Sequence, residues 1–252
     1  MSALARNAAV DIGNTFAKIG WFDDETLVAV EKNIPVEKLE AQLLERLPAH
    51  AIFSSTSQET SQWVDILKDR GSVVFQLTPM LPLPIEKDYD TPMTLGADRV
   101  AAAVGAKVLF PDNNCLVIDM GTCVTYDWVS KMGVFGGGII SPGFRMRFQA
   151  MNAFTKRLPF IDITPSDFIV PQLIGKSTRA AMESGVFNGL LVEIEGVIER
   201  YRSEQGECQV LLCGGDAPLF ENSLKSRIFA APNVVLTGLN RILQYNINLQ
   251  NA

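Results

Sequence analysis

Val10-Asp11-Ile12-Gly13-Asn14-Thr15 and Ile118-Asp119-Met120-Gly121-Thr122 are the two stretches whose reading decides the fold. Each sets an Asp and a Gly at a bend between apolar runs. Ala8-Ala9-Val10 precedes the first bend and an alternating run from Phe16 to Phe22 follows it; Leu116-Val117-Ile118 precedes the second, and Val124 to Val129 follow. Period-two alternation bounded by turn residues predicts strand–turn–strand in both places. Outward from the first device, the pattern predicts a third strand at 27–30 and a helix after Pro35 with Val36, Leu39, Leu43 and Leu47 on one face. A strand at 51–53, a helix over 58–70 and a strand at 73–77 are expected next. Outward from the second device, a third strand ends in Phe135-Gly136-Gly137-Gly138-Ile139-Ile140-Ser141-Pro142-Gly143. Helices are expected from 142 and over 178–202, a strand at 209–213, a helix from 215, a strand at 234–236 and a helix over 237–249. The Pro-rich stretch 78–92 reads as an extended loop, and Gly96-Ala97-Asp98-Arg99 opens an Ala-rich helix to about Leu109. The chain thus reads as two copies of one βββαβα-type α/β unit facing each other, over 1–112 and 113–252, joined at Pro111-Asp112-Asn113-Asn114.

Composition narrows the chemistry. The 252 residues are 47% hydrophobic and 20% charged, which is globular. Lys and Arg number 22 against 28 Asp and Glu, a net charge of −6, and such a surface repels phosphate backbones and anionic lipids; no nucleic-acid or membrane partner is expected. A single histidine, His50, argues against Ser-His-Asp triads and His-built zinc sites and leaves acid/base work to carboxylates. The four cysteines form no C-x-x-C, the first residues show no signal peptide, and no apolar run reaches membrane-spanning length, so a reduced, cytoplasmic protein is expected.

The turns themselves carry the functional signal. Gly at a bend lets backbone N–H groups point inward, and Thr or Asn adds donors, an arrangement that cradles phosphate. A carboxylate there is repulsive unless a cation intervenes, so the paired Asp turns point to a metal–nucleotide complex. Asp-x-Gly-Asn taken singly is also ordinary turn chemistry; its repetition with the same flanks favours the metal–nucleotide reading. Lys18 either reaches back toward phosphate or is a solvated strand residue. Leu212-Cys213-Gly214-Gly215-Asp216-Ala217 either lets adenine lie against bare backbone or simply starts a helix. Asp98, in the first turn of its helix after the Pro-rich loop, is the candidate acceptor for an alcohol proton, with a role complementing the helix dipole as the alternative. Arg99 pairs with an anionic substrate or with a surface carboxylate. Ser177 and Thr178 read as helix caps, and Gly185 and Gly189 suit either a subunit interface or packing within the chain.

Together these residues resemble the bacterial type III pantothenate kinases of the actin, sugar kinase and Hsp70 superfamily, over essentially the whole chain. Asp11 to Thr15 match the first phosphate motif, Asp119 to Thr122 the second, and Gly96-Ala97-Asp98-Arg99 the G-x-D-R motif. Gly136 to Gly143 match G-G-x-I-x-P-G, and Leu212 to Ala217 the adenosine segment. The resemblance implies two ribonuclease H-like, actin-like domains with the nucleotide in the cleft between them, and phosphorylation of pantothenate by ATP with Mg²⁺. It implies ATP contacts from Asp11, Ile12, Gly13, Asn14, Thr15, Phe16, Ala17, Lys18 and Thr122, with Asp11 toward Mg-ATP. It makes Asp98 the proton acceptor and assigns pantothenate contacts to Tyr89, Gly96, Ala97, Asp98, Arg99 and Thr178. Asp119 becomes the ligand of an activating monovalent cation, K⁺ or NH₄⁺, and the family's homodimer is implied as well. Another small-alcohol kinase of the superfamily, or a non-catalytic nucleotide-binding regulator, are the alternatives. This chain departs from the pattern at Asp90-Thr91, where Asn is common, at Cys123, where Ala is usual, and at Phe144-Arg145-Met146-Arg147-Phe148, which is bulkier and more basic.

Overall fold

The computed structural model describes residues 6–13, 16–55, 59–163 and 168–251. The chain begins with β1 (Asn7–Ile12), β2 (Phe16–Asp23), β3 (Thr26–Pro35), α1 (Leu39–Arg46), β4 (His50–Ser55), α2 (Ser61–Asp69) and β5 (Val73–Gln76). After β6 (Glu86–Lys87) and α3 (Ala97–Leu109) come β7 (Cys115–Met120), β8 (Cys123–Val129), β9 (Val134–Pro142), α4 (Phe144–Ala153) and α5 (Thr178–Gln205). The chain closes with β10 (Gln209–Cys213), β11 (Phe229–Ala230) and α6 (Val234–Gln250).

The first sheet has the order β3-β2-β1-β4-β5, and the second reproduces it as β9-β8-β7-β10-β11. In the first sheet β1–β2 and β2–β3 are antiparallel while β1–β4 and β4–β5 are parallel; in the second, β7–β10 and β10–β11 are parallel. The likeness extends to single residues. β1 reads NAAVDI and β7 reads CLVIDM, and in both the fifth residue, Asp11 or Asp119, is the one position not buried. A central strand covered on both faces reads as a near-continuous apolar run, which is why an Asp near its end stands out.

The chain forms two compact units. One takes the residues up to Asp112, Val129–Gly136 and those from Asn233 on; the other takes Asn113–Trp128 and Gly137–Pro232. In the first, Val10 and Ile12 of β1 join Leu39, Leu43, Trp63 and Leu67 of α1 and α2, while the alternate residue Ala9 joins Ala101, Val104, Leu239 and Ile242 of α3 and α6. Glycine lets α3 and α6 meet backbone to backbone. A Cβ at Gly105 would stand inside the Val234 carbonyl, and one at Gly238 inside that of Ala101. Gly inside a helix costs about 1 kcal/mol against Ala, and this close approach offsets it. That packing seats the last helix in the first unit, although it follows the whole of the second in sequence. In the second unit, Phe144, Phe148, Phe187 and Phe220 lie in the core beneath β7 and β8. Phe144 meets Phe148 edge-on at 5.3 Å, and Phe187 stacks on Phe220 at 4.7 Å. Each buried ring contributes roughly 1.5–3 kcal/mol of hydrophobic stabilisation.

Three local expectations give way. The strand expected at 234–236 is the first turn of α6, because Val234 and Leu236 sit on a broad buried helix face with Leu239, Ile242 and Leu243. The helix expected from 215 is a single 3-10 turn, Ala217–Leu219, stopped by Phe220, which is fully buried in the core. The loop expected over 78–92 holds β6, whose Glu86 and Lys87 pair with Val134 and Phe135 at the start of β9. Gln58, the expected start of α2, lies outside the described residues.

Candidate active site

The first turn joins β1 to β2. Ile12 pairs with Ala17 and Asp11 with Lys18, and the Gly13 N–H donates to the Phe16 carbonyl at 3.1 Å. Asp11 and Lys18 are both half-buried and directly opposed, so carboxylate and ammonium share one face of the sheet. Ile12 and Ala17 bury their side chains in the core, leaving only their backbone for a ligand, while Phe16 is 49% exposed. Asn14 and Thr15 lie outside the described residues.

At the start of α3, Gly96 is the N-cap and Asp98 stands in the first turn. The Asp98 carboxylate folds back over the helix start, and its Oδ1 accepts the Arg99 N–H at 2.9 Å. A Cβ at Gly96 would lie 2.6 Å from that oxygen, so glycine clears the place the carboxylate takes. Arg99 is 7% exposed, with its guanidinium 5.9 Å from the Tyr89 ring and 5.7 Å from the Phe135 ring. Phe135 also accepts a hydrogen bond from the Asp88 N–H at 2.9 Å, tying the Tyr89 loop to the same point. Gly96, Ala97, Asp98, Arg99 and Tyr89 are therefore gathered together. Phe135, which organises them, looks in the sequence like nothing more than a strand residue before the glycine run.

The second turn joins β7 to β8 and is the meeting point of three glycine-bearing segments. The Gly121 N–H donates to the Cys123 carbonyl at 3.0 Å, and the Gly143 N–H to the Thr122 carbonyl at 3.2 Å. The Asp216 N–H donates to the Met120 carbonyl at 2.9 Å. A Cβ at Gly143 would overlap the Gly121 and Thr122 carbonyls, and one at Gly214, whose φ is +93°, would overlap the Met120 backbone. Beside it, an added Cβ at Gly215 would meet nothing within 4 Å among the described residues, as a flat ligand lying on bare backbone requires. Gly214 is thus structural, and Gly215 leaves room. Asp119 is half-buried and Thr122 exposed on this turn.

The basic segment after Gly143 is absorbed inside the second unit. Phe144 and Phe148 are core residues, Arg145 lies 3.7 Å from Asp216, and Arg147 lies 2.6 Å from Glu193. Burial pushes the Asp216 carboxyl up against the pull of Arg145. Burial also works against ionised Glu193, but hydrogen bonds with Arg147, Ser141 and Tyr126 outweigh it and hold that carboxyl below its usual range. Burial, then the Glu193 charge, push the Tyr126 phenol up.

Ser177 caps α5, its Oγ accepting the Ala180 N–H at 3.1 Å. Thr178 is the exposed first residue of that helix, which belongs to the second unit, and the cap is made by Ser177 rather than by Thr178. Gly185 and Gly189 are exposed on α5 and, among the described residues, have nothing within 4 Å of an added Cβ. Among the described residues no group of three or more His, Cys, Asp or Glu forms a metal cage, all four cysteines are free, and no helix is long and apolar enough to cross a membrane. Single carboxylates on bare turns suit cations that keep waters and bind phosphate oxygens, as Mg²⁺ does, rather than ions needing an all-protein cage.

Two solved structures share the architecture. A conserved Baf family protein from Campylobacter jejuni matches with a TM-score of 0.62 at 20% identity, covering 96% of this chain and 99% of that one. A glucokinase from an Antarctic psychrotroph matches with a TM-score of 0.53 at 11% identity, covering 95% and 98%. With its repeated sheets and glycine-packed turns, the molecule has a two-domain, actin-like α/β fold, which that glucokinase shares. At the level of sequence, the family profile described as type III pantothenate kinase matches residues 8–200. The type III pantothenate kinase of Cytophaga hutchinsonii is 42% identical over 241 residues, covering 96% of this chain and all of that one. The chain belongs to the type III pantothenate kinase family.

Proposed function

We propose that this chain transfers the γ-phosphoryl group of ATP to the primary hydroxyl of pantothenate, giving 4′-phosphopantothenate on the way to coenzyme A. One observation carries the reading: in a chain of this family, Gly96 makes room for the Asp98 carboxylate beside the ring-flanked Arg99. Asp98 accepts the hydroxyl proton. The hydroxyl oxygen bonds to the γ-phosphorus as the bond from that phosphorus to the bridging oxygen breaks, and ADP leaves. Because phosphoryl transfer is loose, the protein's work is mostly positioning and charge stabilisation.

In the first unit Lys18 and the backbone of its turn would bind ATP; in the second, Thr122 and its turn would do so, and the backbone at Gly215 would take adenine. Asp11 would hold the magnesium of Mg-ATP and Asp119 a monovalent cation, K⁺ or NH₄⁺; when bound, both offset charge on the phosphates. Tyr89, Arg99 and Thr178 would bind pantothenate. A homodimer fits the exposed line Ala181, Gly185, Gly189, Val192 and Gly196 on α5, where Val192 is 71% exposed. A cytoplasmic location fits the free thiols. ADP release measured against a panel of alcohols tests the reading. Release that requires pantothenate and rises when K⁺ replaces Na⁺ is expected; release driven by another alcohol and indifferent to pantothenate contradicts it.

A further inference from the structure

The segment after Gly143 departs most from the family pattern, and its charges lead somewhere specific. Arg147, on the first turn of α4, donates from Nε to the Pro142 carbonyl at 2.9 Å. Its Nη2 donates to Ser141 Oγ at 3.0 Å and to Glu193 Oε2 at 2.6 Å. The other Glu193 oxygen accepts the hydroxyl of Tyr126 at 3.0 Å, and Tyr126 is fully buried in β8. The segment held this way ends in Gly143, whose N–H pins the Thr122 carbonyl and which stands too close to the turn for any side chain.

We propose that Arg147 and Glu193 are a positioning pair for nucleotide binding, holding Ser141-Pro142-Gly143 against the Gly121-Thr122 turn. The inference deepens the functional reading and rests on that turn being a phosphate site. The planar guanidinium spends its donors on a backbone carbonyl, a hydroxyl and a carboxylate at once, which a lysine ammonium cannot reproduce in this geometry. The pair differs from an ordinary surface ion pair, because the Arg147 and Glu193 side chains are only 21% and 28% exposed and two of the Arg147 donors are spent on the segment itself. Anchored to α5 and the core of β8, the segment leaves the Thr122 carbonyl one place to be. The backbone N–H groups and hydroxyl of the turn are thereby pointed before any ligand arrives.

The test is calorimetric titration with ADP alongside steady-state kinetics on the full chain. Arg147→Lys should weaken ADP binding and raise KM for ATP by about fivefold or more, with KM for pantothenate essentially unmoved. Ser141→Ala should show the same split to a smaller degree, and Arg200→Ala, which breaks the exposed i,i+4 pair with Glu204 on the same helix, should change neither. ADP affinity that changes less than this in folded Arg147→Lys, or two KM values that rise together, overturns the proposal. Should Arg147→Lys fail to fold, Glu193→Gln, which keeps the side-chain shape, decides by the same criterion. The titration needs no acceptor, so it stands even where pantothenate is not the substrate. An unaltered protein that does not bind ADP sinks the reading of the turn, and the pair's role with it.

Discussion

The β1–β2 turn and the β7–β8 turn are the same device in two settings. Their strands have the same burial order and their Asp residues the same place in it. In the first turn the Gly13 N–H donates to the Phe16 carbonyl, and Lys18 stands opposite Asp11. The second is buttressed from two sides by Gly143 and Gly214, and through Gly143 by Arg147 and Glu193. The two carboxylate turns thus stand in different surroundings: Lys18 faces Asp11 across the first hairpin, and the backbone of the second lies too close to Gly143 and Gly214 for side chains there.

The largest expected effect tests the buttressing. Gly214→Ala puts a side chain at φ +93° into the Met120 backbone and should cost about 3 kcal/mol or more of unfolding free energy in a denaturant titration. Among the described residues a Cβ at Gly13 meets the Phe16 carbonyl at 3.3 Å, and Gly13→Ala should cost about 1 kcal/mol or less. Equal costs would mean that the two turns are held alike. The next effect separates the two carboxylates by function. Asp119→Asn should abolish K⁺ stimulation of ADP release, whereas Asp11→Asn should raise KM for ATP about tenfold and keep the K⁺ response. Interchanged results would reverse the assignment of cations to turns.

The smallest effect is a pH dependence. Glu193 has its pKa lowered in the folded chain, so the native state binds fewer protons there than the unfolded one. The stability it contributes is fully present above the ordinary glutamate range and is lost as pH falls through the lowered folded value. Glu193→Gln should therefore be less stable than the unaltered chain near neutrality, and the gap should close in acid. A gap that widens in acid would contradict the clamp around Arg147.

What was legible in the sequence was local. Asp and Gly at fixed offsets between apolar runs announced both turns and their repetition, because turn chemistry and period-two burial act over a few residues. The α6 boundary was not legible: Val234-Val235-Leu236 has strand composition, and only its packing on Gly105 of α3 makes it helix. The one-turn 217–219 segment was hidden for a similar reason, since burial of Phe220 stops what Gly-Gly-Asp begins. Near the site, the helix start at Gly96 with Asp98 in its first turn could be read from the local sequence. Phe135 and the Arg147–Glu193 pair could not, since their partners lie tens of residues away and a lone charge in a sequence does not name its counter-ion.

Asp98 is proposed to accept the proton of pantothenate's hydroxyl. Asp98→Asn tests it most directly, with pantothenate-dependent ADP release and ADP affinity measured on the same preparation. Turnover lower by about 10²–10⁴-fold, with ADP affinity nearly unchanged, is expected. A variant that keeps most of its turnover, or that loses ADP affinity in step with turnover, would contradict it.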